Sequence, residues 1–257
     1  MLTWSKAELK KAIVEVLPVS KSGILVVHSN IFNLGVFDEE DPCEKILEIF
    51  TEIYGGNVTV IVPTYTFLAD SEIYKLKDTP GTNMGTLSEY VRKFRASYRS
   101  KCPIHNHCGF GPLAANLLSS SDETVSFGQN SDFDYFVEYD VDVLLLGCSL
   151  SEGATLFHHF EALADVPYRK WISVSKKVDY SSIQQTVSVK YFARDDENWV
   201  DSFDALEVSL LKDEIITCTN FGYGKISSFS AKKSEAYFKK MLEIDPYLLV
   251  KFNNVES

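Results

Sequence analysis

Residues 23–29 read GILVVHS, residues 40–54 read EDPCEKILEIFTEIY and residues 57–67 read NVTVIVPTYTF. The first and third are short apolar runs rich in β-branched residues, the pattern of strands buried on both faces. The middle segment carries apolar residues at helical spacing, opens near Pro42 and stops at Gly55-Gly56, as a helix start and stop should. Strand, helix, strand in this order predicts an α/β chain with a covered sheet. VDVLLLG (141–147) adds a further buried strand.

Working outward, residues 5–17 read as a first helix capped by Ser5. TLSEYVRKF (86–94) reads as a helix opened by a Thr86/Glu89 capping box, and PLAANLLSS (112–120) as a short helix with Pro in its first turn. Residues 68–85 and 98–111 lack periodicity and are expected to be loops. A helix from about Thr155 to Leu163 follows the segment SLSEGAT. Strand-like segments (VSVKYFAR, EIITCTNFG, GKISSFS) and a helix from about Ala231 to Ile244 complete the chain. The expectation is an α/β fold in three layers, a central mixed sheet flanked by helices. We expect one domain over residues 1–257, with the part after about residue 172 as the candidate for a smaller β-rich portion.

Composition narrows the function classes. The chain has 257 residues, 45% apolar and 24% charged, which excludes disordered and fibrous classes. The formal charge of −11 argues against a nucleic-acid partner. No apolar run reaches membrane-spanning length and the N-terminal stretch is amphipathic, so a cytoplasmic protein without a membrane partner is expected. Five cysteines in no paired spacing read as free thiols, with Cys148 buried beside its strand.

The five histidines fall in three places: His28, His105 with His107, and His158 with His159. Each adjoins a strand end or loop, where α/β proteins keep their sites. On a helix, Thr155, His158 and Glu161 share one face. A histidine beside a carboxylate is held in one tautomer and can serve as general base. The competing structural reading pairs Glu161 with Arg169 or Lys170. Cys102 to Cys108 encloses thiol and imidazole ligands for zinc, but four ligands within seven residues lack the two-pair spacing of structural sites. Joining His105 or His107 to His158 is a second zinc reading, and Cys102 or Cys108 as nucleophile a rival mechanism. The dinucleotide, P-loop and nucleophile-elbow signatures are absent.

The blocks VVHSNIFNLG (26–35), VIVPTYTF (60–67), YRSKCPIHN (98–106), GQNSDFDYF (128–136), VLLLGCS (143–149), GATLFHHFE (153–161) and VPYRK (166–170) resemble, in this order, the aminoglycoside 3-N-acetyltransferase family. The resemblance implies acyl transfer from coenzyme A to a sugar amine without a metal. It makes His158 the catalytic base, with Thr155 and Glu161 beside it. His28, Ser29, Asn30, Thr64, Arg99 and Ser100 become candidate coenzyme-binding residues. Tyr65, His105, Asn106, Tyr168 and Arg169 become candidate substrate-binding residues. Two departures bear on the acceptor. Cys102-Pro103 stands where His-Pro is usual after the Arg-Ser pair, and Ser131-Asp132 where Ser-Pro is common. With the VPYRK segment, they favour a nucleotide-linked amino-deoxysugar of surface polysaccharide as acceptor. A free aminoglycoside is the alternative, and the −11 charge suits its positive charge. A zinc-dependent hydrolase or deacetylase and a non-catalytic binding protein are the readings from other classes. The expected partners are acyl-coenzyme A and a small amino sugar, with homo-oligomerisation left open.

Overall fold

The computed structural model of the chain describes residues 2–17 and 22–253. Its centre is a seven-stranded mixed sheet. Across the sheet the strands run Thr217–Phe221, Gly224–Ser230, Asp142–Leu146, Ile24–Ser29, Thr59–Pro63, His107–Phe110 and Tyr98–Arg99. The three middle strands are parallel. On either side an antiparallel hairpin extends them. The middle strands are buried on both faces, which is why their sequences are continuous apolar runs.

Side-chain alternation divides the core in two. Leu25, Val27, Val60, Val62, Leu144 and Leu146 face a cluster with the helices Lys6–Val16 and Pro42–Ile53. Val26, Ile61, Val143 and Leu145 face the opposite cluster, with the helices Asp132–Glu138, Leu156–Ala164 and Ala231–Ile244. The result is the expected three-layer arrangement. Ser5 caps the first helix in a full capping box with Glu8, satisfying amide groups that the helix itself leaves open.

Several local expectations fail for identifiable reasons. The PTYT strand ends at Pro63, and Thr64–Phe67 leave the sheet. Residues 98–111 are not a loop: Tyr98–Arg99 and His107–Phe110 are the edge hairpin of the central sheet. Within 68–85, Ile73–Lys75 pairs with Arg169–Asp179. Thr86 is not a cap. Gly85 holds that place at φ 85°, no side chain caps the helix, and Glu89 instead accepts from the Gly81 amide and Arg92. A Cβ at Gly85 would lie 2.7 Å from the Ser29 carbonyl oxygen. Glycine therefore lets this helix start against the end of strand Ile24–Ser29.

Residues after 172 do not form one separate β portion. Arg169–Asp179 and Gln184–Arg194 make a long hairpin over a small core of Tyr74, Cys102, Ile104, Val178, Val187 and Val189. The next strands, Thr217–Phe221 and Gly224–Ser230, rejoin the central sheet. Among the described residues, no helix is long and apolar enough to cross a membrane.

Candidate functional site

The carboxyl ends of the three parallel strands lie side by side, at Ser29, Pro63 and Leu146. Open α/β sheets place their ligand crevices at this edge. Two cavities occupy it. One, of about 470 Å³, is walled by His28, Tyr65, His105, Phe127, Thr155, His158, Arg169 and Tyr191. The other, of about 360 Å³, is walled by Ser29, Asn30, Pro63, Gly85, Thr86 and Cys148. His28, Met84 and Glu152 belong to both, so the two cavities adjoin.

Helix Leu156–Ala164 delivers the central pair. Its apolar residues Leu156, Phe157 and Phe160 are buried in the core. His158 faces the cavity with its side chain 19% exposed, while Glu161 lies fully buried beneath it. His158 Nδ1 is 2.6 Å from Glu161 Oε2. A carboxylate only accepts, and this shorter contact favours a proton on Nδ1 with Nε2 as the basic nitrogen, against the donor-only Arg169 Nη2 at 3.0 Å from the same Nδ1. Asp201 Oδ2 lies 3.8 Å from Nε2.

Glu161 is held by two further groups. Tyr168 donates its hydroxyl proton to Oε1 at 2.7 Å, and Arg169 Nε lies 2.9 Å from Oε2. Burial alone would raise the Glu161 carboxyl. The charges of His158 and Arg169 and the bonds from His158 and Tyr168 outweigh it and hold it below the usual range. Arg169 also reaches Asp201 at 3.2 Å. The base reading and the structural pairing reading of Glu161 are thus both realised, on one carboxylate.

The neighbouring histidines play other parts. His159, a residue further along the helix, turns into the core, where Nδ1 accepts from the Gly128 amide. His107 is fully buried: Nδ1 sits 2.7 Å from Asp132, and Nε2 sits 3.1 Å from the Tyr65 hydroxyl. Ser100 bonds the same Asp132 oxygen at 2.5 Å. His105 Nδ1 meets Ser126 at 2.5 Å. Burial is the main cause that drives His28 down to about 3 and His105 well below its ordinary value.

Of the candidate residues, His28, Tyr65, His105, Thr155, His158 and Arg169 line the first cavity, and His28, Ser29 and Asn30 the second. Five others belong behind the walls. Arg99 is corrected from a coenzyme contact to a buried brace, with its guanidinium bonded to Thr64, Asn106, Leu76 and Thr79. Thr64 and Asn106 are its buried partners, and Ser100 supports Asp132. Tyr168 is likewise buried at 1% exposure and acts on Glu161.

The zinc and thiol readings fail on geometry and charge. His105, His107 and His158 bind separate partners rather than a common point. Cys102 and Cys108 lie in different cores, and burial pushes both thiols up to about 12. His158, Glu161 and Asp201 do bring ligand atoms within 4.8 Å of one another. The Arg169 guanidinium already bridges both carboxylates, so the set does not fit a metal ion.

Glu152, Tyr191 and Asp201 carry no signal in the sequence, and Asp132 stands out there only as a departure from the family's Ser-Pro pair. Asp132 follows the Ser131 cap and sits in the first turn of its helix, a place where acids are common. Only its burial separates it from them. Tyr191 and Asp201 reach the site from strands 30 and more residues beyond His158, and no local spacing connects them.

The family described as aminoglycoside 3-N-acetyltransferase matches residues 26–243. The chain belongs to this family. Aminoglycoside N(3)-acetyltransferase III from Salmonella sp is 31% identical over 97 residues, 37% of this chain and 34% of that relative. The match thus spans about a third of the length of the curated relative. A histidine-to-alanine variant of aminoglycoside acetyltransferase AAC(3)-IVa in complex with gentamicin has a TM-score of 0.79 at 23% identity, covering 97% of this chain and 92% of that one. AAC-IIIb in binary complex with CoASH has a TM-score of 0.79 at 18% identity, covering 100% of both chains. At these identities the structural likenesses show a shared aminoglycoside 3-N-acetyltransferase fold.

Proposed function

We propose that this chain transfers an acetyl group from acetyl-coenzyme A to an amino group of an aminoglycoside. The observation that carries the reading is His158, with Nδ1 fixed on buried Glu161 and Nε2 turned to a cavity large enough for a sugar ring. The cavity walled by Ser29, Asn30, Gly85 and Thr86 suits the coenzyme arm, since the uncapped start of helix Thr86–Phe94 opens there.

In the reaction, His158 Nε2 takes a proton from the acceptor ammonium, freeing the nitrogen lone pair. That pair attacks the thioester carbonyl carbon, forming the C–N bond and moving the C=O electrons onto oxygen. When the carbonyl re-forms, the C–S bond breaks and its electrons leave on sulfur. The nitrogen's surplus proton ends on the thiolate, relayed through His158 or water. Glu161 stabilises the imidazolium at each stage without itself being protonated.

The motif form points instead to a nucleotide-linked amino sugar, its diphosphate held by Arg99, Arg169 and Lys170, but Arg99 is a buried brace. Arg169 is engaged with Glu161 and Asp201, and Lys170 pairs with Asp195 on the surface. Glu152 borders both cavities, and the adjoining groove adds Asp204, its Glu207 being paired with Lys225. These charges suit a polycationic acceptor, in keeping with the names of the relatives. The test is thiol release from acetyl-coenzyme A with gentamicin-like and neomycin-like acceptors beside nucleotide-linked amino sugars. Higher kcat/KM on the aminoglycosides is expected. Turnover confined to the nucleotide-linked sugars would overturn the acceptor, and none on any amine would overturn the activity.

A further inference from the structure

The acetyl-transfer reading requires the thioester to lie where the coenzyme cavity meets the acceptor cavity. One buried side chain at that junction has no partner of its own. His28 borders both cavities and is 6% exposed. The other four histidines are each tied by Nδ1, to Ser126, Asp132, Glu161 or the Gly128 amide. Neither ring nitrogen of His28 has a hydrogen-bond partner among the described residues. Its ring nitrogens are not sealed from the cavity, so a ligand that enters can reach them.

The strand aims it. Ile24, Val26 and His28 alternate onto the sheet face that packs against helix Leu156–Ala164. His28 and His158 therefore open into one cavity from different elements, the sheet and the helix above it. Gly153 closes on the stem of the ring: a Cβ there would lie 3.2 Å from the His28 Cβ.

We propose that the His28 imidazole donates an N–H hydrogen bond to the thioester carbonyl oxygen and to the oxyanion that forms when the amine attacks. This assignment rests on the acetyl-transfer reading. Attack on the carbonyl carbon forms the C–N bond and places the carbonyl electron pair on oxygen, where the N–H meets it. No proton passes to that oxygen. On collapse the pair returns, the C–S bond breaks onto sulfur, and His28 is unchanged. Burial first, and His107 second, keep the ring neutral down to a pH of about 3. It is thus a donor of fixed charge state, in contrast with the base His158. A preorganised donor facing a developing charge in a water-poor site acts mainly on the transition state.

Two measurements test it. In steady-state kinetics, His28→Ala should lower kcat by about 10²- to 10³-fold, with KM for acetyl-coenzyme A within threefold. His28→Gln, which restores a neutral N–H, should recover at least about tenfold of that loss. A kcat within threefold of wild type in His28→Ala, or a loss confined to coenzyme KM, would overturn the role and leave His28 as packing. The second readout needs no turnover. Infrared spectra of ¹³C-carbonyl acetyl-coenzyme A bound to the protein should show the carbonyl stretch shifted to lower frequency, and the shift should vanish in His28→Ala. A shift that persists in the variant overturns the proposal. If wild type acetylates no amine yet shows a shift that depends on His28, the activity reading fails and the donor assignment stands.

Discussion

His158 and Glu161 stand three residues apart on one helix, yet one reaches an open cavity and the other is sealed from water, with Nδ1 and Oε2 2.6 Å apart. The spacing puts them on one face, and the depth of the helix in the core makes the difference. Charge is kept where it can be compensated by Arg169 and Tyr168, and basicity where the acceptor can reach it.

Removing the base should stop the chemistry and spare the binding. His158→Ala and His158→Asn are expected to lower kcat by about 10²- to 10⁴-fold. Coenzyme A affinity by calorimetry should stay within threefold, because the cavity proposed for the coenzyme does not include His158. Turnover near wild type in either variant would rule out the base.

Glu161→Gln keeps the size of the side chain and removes the charge. The imidazolium then loses its counter-charge, and the amide can present a donor to Nδ1 and favour the wrong tautomer. We expect kcat to fall by about 10²-fold or more, with KM for acetyl-coenzyme A little changed. Equal loss in kcat and coenzyme binding would point to collapse of the pocket instead.

The parallel strands and the T-x-x-H-x-x-E helix face were legible because each rests on a local rule. A strand covered on both faces must be apolar throughout, and residues three apart on a helix must share a side. The edge hairpin at 98–111 was hidden because its strands are two and four residues long and carry Gly109, His107 and Arg99. Arg99 is a coenzyme candidate only through the family resemblance of its Arg-Ser pair. Its burial came from Thr64, Leu76 and Thr79, distant in sequence. The same limit hid Asp201, which meets Arg169 only through tertiary pairing.

Arg169 is the structural weak point of the site. Its guanidinium, with a side chain 5% exposed, bridges Glu161 and Asp201. Arg169→Ala leaves the Glu161 charge buried without its main cation beyond His158. Breaking a buried pair in this way costs about 3–5 kcal/mol. Urea unfolding should show that loss. Arg169→Ala combined with Glu161→Gln should recover part of it, since no unpaired buried charge remains. Unchanged stability in the single variant would mean that water or a rearranged side chain replaces the guanidinium.

Acid should destabilise the fold well before its carboxylates titrate, because three histidines are buried in the neutral state. Burial is the main cause that holds His28 and His159 at about 3 and His105 well below its ordinary value; for His105 the charges of His158, His107 and Arg169 add to it. In the unfolded chain each takes up a proton near pH 6.5. Below that pH the unfolded state binds protons that the folded state refuses, so stability falls as pH falls. The contribution is fully present above about pH 6.5 and is lost progressively toward pH 3. Each histidine gives a slope approaching about 1.4 kcal/mol per pH unit, so three together reach about 4 kcal/mol between pH 5.5 and 4.5. Glu161, held below the usual carboxylate range, acts in the same direction only at lower pH, beneath its unfolded value. Urea midpoints measured at pH 7.5, 6.5, 5.5 and 4.5 should fall slightly over the first step and increasingly over the next two. His159→Gln, which accepts from the Gly128 amide without titrating, should flatten the slope by about one proton's worth. A midpoint constant from pH 7.5 to 5 would show that these rings take up protons while the chain stays folded.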